Sequence, residues 1–121
     1  MRFVVSREAL LRPLQLVTGV VERRQTLPVL SNLLIGVDGG RVSLTGTDLE
    51  VELVADVGLE DGGAESGEIT VPARKLMEIW RALPEGAEVE FAVDGNRATL
   101  RSGRSRFQLA TLPAGDFPGV E

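Results

Sequence analysis

The chain has 121 residues, no cysteine and no histidine, and a net charge of −5 from 18 acidic and 13 basic side chains. The two missing residue types exclude a disulfide framework, a thiolate metal site and an imidazole base, and no apolar run approaches the about 20 residues of a membrane span. With 43% hydrophobic residues the length suits one domain with a real core, and a soluble cytoplasmic protein is the expectation.

"MRFVV" reads as a first strand, and Ser6 as the N-cap of the helix after it. Leu10, Leu11, Leu14 and Val17 recur at helical spacing, with Pro13 inside the stripe predicting a kink and Gly19 near the end. "NLLIGV" and "RVSLTG" follow as strands joined by the Asp-Gly turn "VDGGR". "LEVELVADV" alternates Leu49, Val51 and Leu53 against Glu50 and Glu52, the pattern of a half-buried strand. After the acidic, Gly-rich connector "GLEDGGAESG" comes the strand "GEITV". A second helix follows, with Pro72 in its first turn and Leu76, Ile79, Trp80 and Leu83 as its stripe. Three strands, "VEFAV", "RATLRS" and "RFQLAT", complete the pattern.

The chain contains itself twice. Offset by 56, "VDGGRVSL" (37–44) lies over "VDGNRATL" (93–100), and the same offset carries Leu53 to Leu109. An offset of 66 lays the first helix over the second. The unit is strand, helix and three strands, at about 1–57 and again at 67–112, which predicts an α+β pseudo-twofold domain with two helices side by side on antiparallel strands. The offset also places Asp48 and Glu50 opposite Arg104 and Arg106, so equivalent strands are expected to carry opposite signs.

Charge is unevenly distributed. The helical segments 6–24 and 72–83 carry Arg7, Arg12, Arg23, Arg24, Arg74, Lys75 and Arg81 against three acids, a net +4, while the rest of the chain nets −9. Phosphate contact answers to the local field, so this distribution predicts duplex DNA held by its backbone. No aromatic residues interleave with these charges, so stacking of single-stranded bases is not indicated. Asp48/Glu50/Glu52 and Glu60/Asp61 lack a partner base or a metal spacing, and Ser6, Ser31, Ser43 and Ser105 lack an activating histidine. No catalytic residue, cofactor or metal is expected, and the chain is read as no enzyme. A protein-interaction domain without a DNA role is the alternative.

"TLPVLSNLL", "VSLTGTDLE", "VPARKL", "LPEGAEVE" and "RSGRSRFQLATLPAGDFP", in this order, resemble the N-terminal domain of the bacterial DNA polymerase III beta subunit, the sliding-clamp family. The resemblance spans the chain. It implies the DNA-clamp fold, in which two inner helices are backed by outer sheets and three such domains per chain close head-to-tail with a second subunit into a ring around duplex DNA. DNA polymerase III and the clamp loader are the partners it implies for the full-length protein; no membrane is involved. The chain is then expected to be an isolated first domain, with 113–121 as the start of the linker to the next. Arg24 and Arg74 match DNA-facing positions of the family, while Lys75, Arg23, Arg7, Arg12 and Arg81 are assigned from charge and position. Arg97, Arg104, Arg106, Phe107 and Leu109 match positions that the family uses at its subunit interface.

In "RSRFQLA" alternation sets Arg104, Arg106 and Gln108 on one face and Phe107 and Leu109 on the other. By pattern alone this fits an interface strand and an ordinary edge strand packed on its own core equally well; the resemblance favours the interface.

Overall fold

The computed structural model describes residues 1–21, 28–60 and 64–118. Strand β1 (Arg2–Ser6) runs into helix α1 (Arg7–Thr18), followed by a short 3-10 turn and β2 (Asn32–Asp38), β3 (Arg41–Thr47) and β4 (Glu52–Gly58). The second half repeats the order with β5 (Gly67–Pro72), α2 (Ala73–Ala82), β6 (Glu88–Asp94), β7 (Arg97–Ser102) and β8 (Ser105–Ala110).

The strands form two antiparallel sheets. Sheet I has the order β1-β6-β7-β8 and sheet II the order β4-β3-β2-β5. Each sheet therefore takes its outermost inner strand from the other half: β1 pairs with β6, and β5 pairs with β2. The two hairpins share one register, Asp38↔Arg41 with Ile35↔Leu44 in the first and Asp94↔Arg97 with Phe91↔Leu100 in the second, displaced by 56 residues.

At the fourth strand the displacement changes. Val42 pairs with Val57 and Ala98 with Leu109, so β8 is the counterpart of β4 at an offset of 52. The first copy is four residues longer between its third and fourth strands. The expected overlay of Asp48 and Glu50 on Arg104 and Arg106 is thus corrected: Asp48 lies in the extra loop, and the aligned edge positions are Glu52 with Arg104 and Val54 with Arg106. The long strand expected over 49–57 is also shorter, beginning at Glu52. Leu49 takes a positive φ of 81°, and Leu49 and Val51 stand in solvent. The Asp48 carboxylate accepts the Glu50 and Val51 amides, and the Thr47 hydroxyl accepts the Leu49 amide while donating to the Val51 carbonyl. These local bonds outcompete the alternating pattern.

Ser6 caps α1 by accepting the Ala9 amide, and α1 continues across Pro13 to Thr18. The expected break does not occur there, because burial of Leu10, Leu14 and Val17 offsets the hydrogen bond that proline cannot donate. Pro72 is the N-cap of α2 rather than part of its first turn. Leu76, Trp80 and Leu83 are buried with Met77, and Ile79 is partly covered. All of these side chains join one continuous core with Phe3, Leu33, Ile35, Leu44, Phe91 and Leu100. Phe3 of β1 stacks on Phe91 of β6 at 5.0 Å, joining the two halves within sheet I.

Helix α1 approaches β3 so closely that a Cβ on Gly46 would sit 2.7 Å from the Val17 carbonyl oxygen. A methyl group there forces helix and strand apart, so Gly46→Ala is expected to cost about 1–3 kcal/mol in denaturant unfolding. Gly115→Ala, where the added carbon meets nothing within 4 Å, is expected to stay within about 0.5 kcal/mol of the parent.

Candidate nucleic-acid interface and sheet edges

The two helices lie antiparallel. At one end the Trp80 indole Nε1 donates to the Arg7 carbonyl at 2.9 Å, and the Arg7 Nε donates to the Trp80 carbonyl at 3.2 Å. At the other end Arg74, in the first turn of α2, donates to the Val21 carbonyl just past α1 at 3.3 Å. Each helix buries one stripe against the sheets and turns its other side to solvent.

That outward side carries Arg12 from α1 and Arg74, Lys75 and Arg81 from α2, all exposed, against Glu8 and Glu78. Lys75 stands 3.8 Å from Glu78, both side chains about two-thirds exposed, which leaves its charge largely available. Helix α2 has no acidic residue in its first turn and no side-chain cap, so the Arg74 and Lys75 charges add to the positive end of its dipole. Arg7 is placed differently from the other candidates. Its side chain is 16% exposed and is spent on Trp80 and, at 3.1 Å, on Glu8. It joins the helices rather than facing outward with the rest. The Glu8 carboxyl is held below its usual range by the hydrogen bond from Arg7, and it also accepts the Gly86 amide. Arg23 and Arg24 lie outside the described residues.

On the sheets the expectation of uniformly negative strands is corrected. The outer face of sheet II carries Asp38, Glu52, Asp56 and Glu68 against Arg41 and is acidic. The outer face of sheet I mixes Glu88, Glu90 and Asp94 with Arg2, Arg97, Arg101 and Arg106. Within it Glu90 takes Arg2 at 2.7 Å and Arg101 at 3.9 Å. Negative charge is therefore concentrated on one sheet, a division that net charge per segment could not show because strands of both halves contribute to each sheet.

Two of the four outer strands have their lateral edges bridged: Arg2 beside β1 pairs with Glu65, and Thr70 of β5 pairs with Leu112. Strands β4 and β8 end their sheets with no further strand beyond them among the described residues. Along β8, Arg104, Arg106 and Gln108 are exposed, Phe107 is half-buried, and Leu109 is 7% exposed within the domain's own core. Leu109 therefore serves chiefly to seat the strand. Arg97 at the far end is exposed. Arg106 sits directly opposite Arg101, a like-charge pair across two strands. Neither Arg104 nor Arg106 has an ion-pair partner among the described residues.

Sequence reading missed the Arg7–Trp80 latch and the role of Asp48. The first had no signal, since two residues 73 apart meet only through the helix pairing. The second had one: Thr-Asp before two residues is the pattern of a side-chain-closed turn. Among the described residues no cluster of acidic side chains could hold a metal, and no helix is long and apolar enough to cross a membrane.

A family model described as DNA polymerase III beta subunit, N-terminal domain, matches residues 1–121. A beta sliding clamp of Pseudomonas putida is 64% identical over the whole chain, which covers 33% of that relative. The structure of a sliding clamp from Pseudomonas aeruginosa superposes with a TM-score of 0.98 at 64% identity, over all of this chain and 32% of that one. A Caulobacter crescentus polymerase III beta structure superposes at 0.94 with 45% identity, over all of this chain and 32% of its own. The chain thus spans about a third of the length of these relatives.

Trp80 is the chain's one tryptophan and is 1% exposed. Trp80→Phe removes the indole donor and leaves the Arg7 carbonyl unpaired beside a void, so a loss of about 2–4 kcal/mol is expected by circular dichroism on unfolding. Hydrogen bonds from the Glu50 and Val51 amides hold the Asp48 carboxyl below its usual range. A depressed carboxylate stabilises fully above its ordinary pKa and stops doing so as pH falls through the depressed value. Amide-exchange protection at Glu50 and Val51, corrected for intrinsic rates, is expected to fall in that acid window, and to be low at every pH in Asp48→Ala.

Proposed function

Because the chain belongs to the DNA polymerase III beta subunit N-terminal domain family, we propose that it is the first domain of a ring that encircles duplex DNA. In this reading it acts as a processivity factor in the cytoplasm and carries out no chemistry of its own. The observation that supports the reading most is the exposed helical side, where Arg12, Arg74, Lys75 and Arg81 stand outward beside α2's uncapped positive end while sheet II presents acids on the opposite face of the core. Arg23 and Arg24 are proposed to extend the same positive wall. Arg7 contributes by fixing the helix pair.

Such a wall suits sliding. Each specific base contact is worth about 1–3 kcal/mol and would become a sticking point, whereas phosphate contacts averaged over the duplex leave it free to move. The helices present no aromatic platform and hold their cations on rigid elements, so contact is with the backbone. The acidic sheet keeps DNA from binding the wrong side.

The β8 edge is proposed as the site where the domain meets a second subunit head-to-tail. Arg104 and Arg106 select an acidic partner, which also relieves the Arg101–Arg106 repulsion, and Phe107 supplies apolar area. Residues 113–121 then lead toward the next domain. DNA polymerase III and the clamp loader are partners of the whole protein.

Duplex titrated with the 121-residue chain at low salt is expected to bind no tighter than about 10⁻⁴ M, equally for unrelated sequences. Arg74→Ala and Lys75→Ala are each expected to lower the slope of log affinity against log salt by about 1, with unfolding unchanged. Tight binding to one sequence at high salt contradicts the reading. Unchanged affinity in the Arg74→Ala/Lys75→Ala double variant favours a protein-interaction domain instead.

A further inference from the structure

We infer that the 121-residue chain carries both halves of a self-complementary contact, and that β4 of one copy docks beside β8 of another. Three observations converge on β4. It ends sheet II with no strand beyond it among the described residues. Of the four large apolar side chains most exposed among those residues, three lie on it or on the loop before it: Leu49, Val51 and Val54, each more than half exposed. Its acids Glu50, Glu52 and Asp56 are exposed and have no ion-pair partner among the described residues.

An exposed edge strand with apolar side chains is a pairing surface unless it is guarded. Here the guard is charge of one sign, which repels a second β4 and attracts a basic strand. The domain holds such a strand at the other end of its fold. Strand β8 is also a free edge, with Arg104 and Arg106 unpaired and half-buried Phe107 between Arg106 and Gln108. The strands are counterparts in the internal repeat, and their aligned positions carry Glu52 against Arg104. The loop supplying Leu49 and Val51 is prepared for contact. Its turn is closed by Thr47 and Asp48, so its ordering is complete before a partner arrives.

The contact is heterologous: each copy offers a different edge, so assembly propagates into a closed ring or an open filament according to the rotation between copies. Two edge strands and a loop bury less than about 1,000 Å², so the association is weak, with a dissociation constant of about 0.1–1 mM at low salt. This inference rests on the β8 edge described above and not on the DNA reading.

Sedimentation velocity and amide NMR on the 121-residue chain from about 0.05 to 1 mM test it. The expected result is concentration-dependent growth in size, with shifts confined to residues 49–56 and 104–108 and with association weakened about tenfold on raising salt from about 0.05 to 0.5 M. Arg104→Glu/Arg106→Glu and Glu50→Lys/Glu52→Lys are each expected to be monomeric, and their mixture to associate, because each now matches the other at both edges. Trp80 fluorescence reports whether each variant is folded; if either is not, Arg106→Gln and Glu52→Gln replace them and are each expected to weaken association. A monomer at about 1 mM in low salt overturns the inference, as do association that these substitutions leave unchanged and a mixture that stays monomeric. Duplex binding measured at about 10 μM, where the chain is monomeric, reports on the DNA reading separately.

Discussion

One strand exchanged between the two halves governs the rest of this structure. β1 leaves the first half to pair with β6, and β5 leaves the second to pair with β2. The Phe3 and Val5 side chains are buried against strands more than 80 residues away, as the Phe3–Phe91 pair shows. Full burial of such side chains is worth about 1.5–3 kcal/mol each, gained only when both halves are present. The internal repeat is therefore a repeat of sequence and topology, not of independent folding units. A single core, with Trp80 and Leu14 from the two helices, results.

The exchange also decides which surfaces remain. It uses one edge of each hairpin, and short bridges to Glu65 and Leu112 cover the edges of the exchanged strands. What remains are β4 and β8, related by the repeat and unlike in charge. The antiparallel helices, latched by Arg7 and Trp80 at one end and by Arg74 at the other, hold Arg12, Arg74, Lys75 and Arg81 on rigid segments. A contact with many phosphates needs fixed charges more than a shaped pocket, and this arrangement supplies them. The same helices cover the inner faces of the sheets, so the cations and the acids of sheet II are separated by the thickness of the core.

Much of this was legible in the sequence. The helix stripes of Leu10, Leu14, Val17, Leu76 and Trp80 and the two Asp-Gly hairpins follow from periodicity and turn chemistry, which act locally. What could not be read arises where distant segments meet. Strand exchange leaves each half's pattern unchanged and is invisible to periodicity. The change of offset from 56 to 52 hid in the loop at Asp48–Val51, where alternation of Leu49 and Val51 imitates a strand while Thr47 and Asp48 close a turn. Charge per segment showed that the helices are basic, but the acidity of sheet II against the mixed sheet I depends on which strands join which sheet. Arg7 looked like any other helical cation until Trp80 was placed beside it.

The most direct measurement of the exchanged core is to separate its halves. Peptides covering residues 1–60 and 61–121, cut within the connector, are to be studied alone and mixed by circular dichroism and amide NMR. The account predicts that each is unfolded alone, since each lacks the strand that completes its sheet, and that the mixture regains sheet and helix signals with Trp80 buried. Either half folding by itself into a stable sheet-and-helix unit would contradict it.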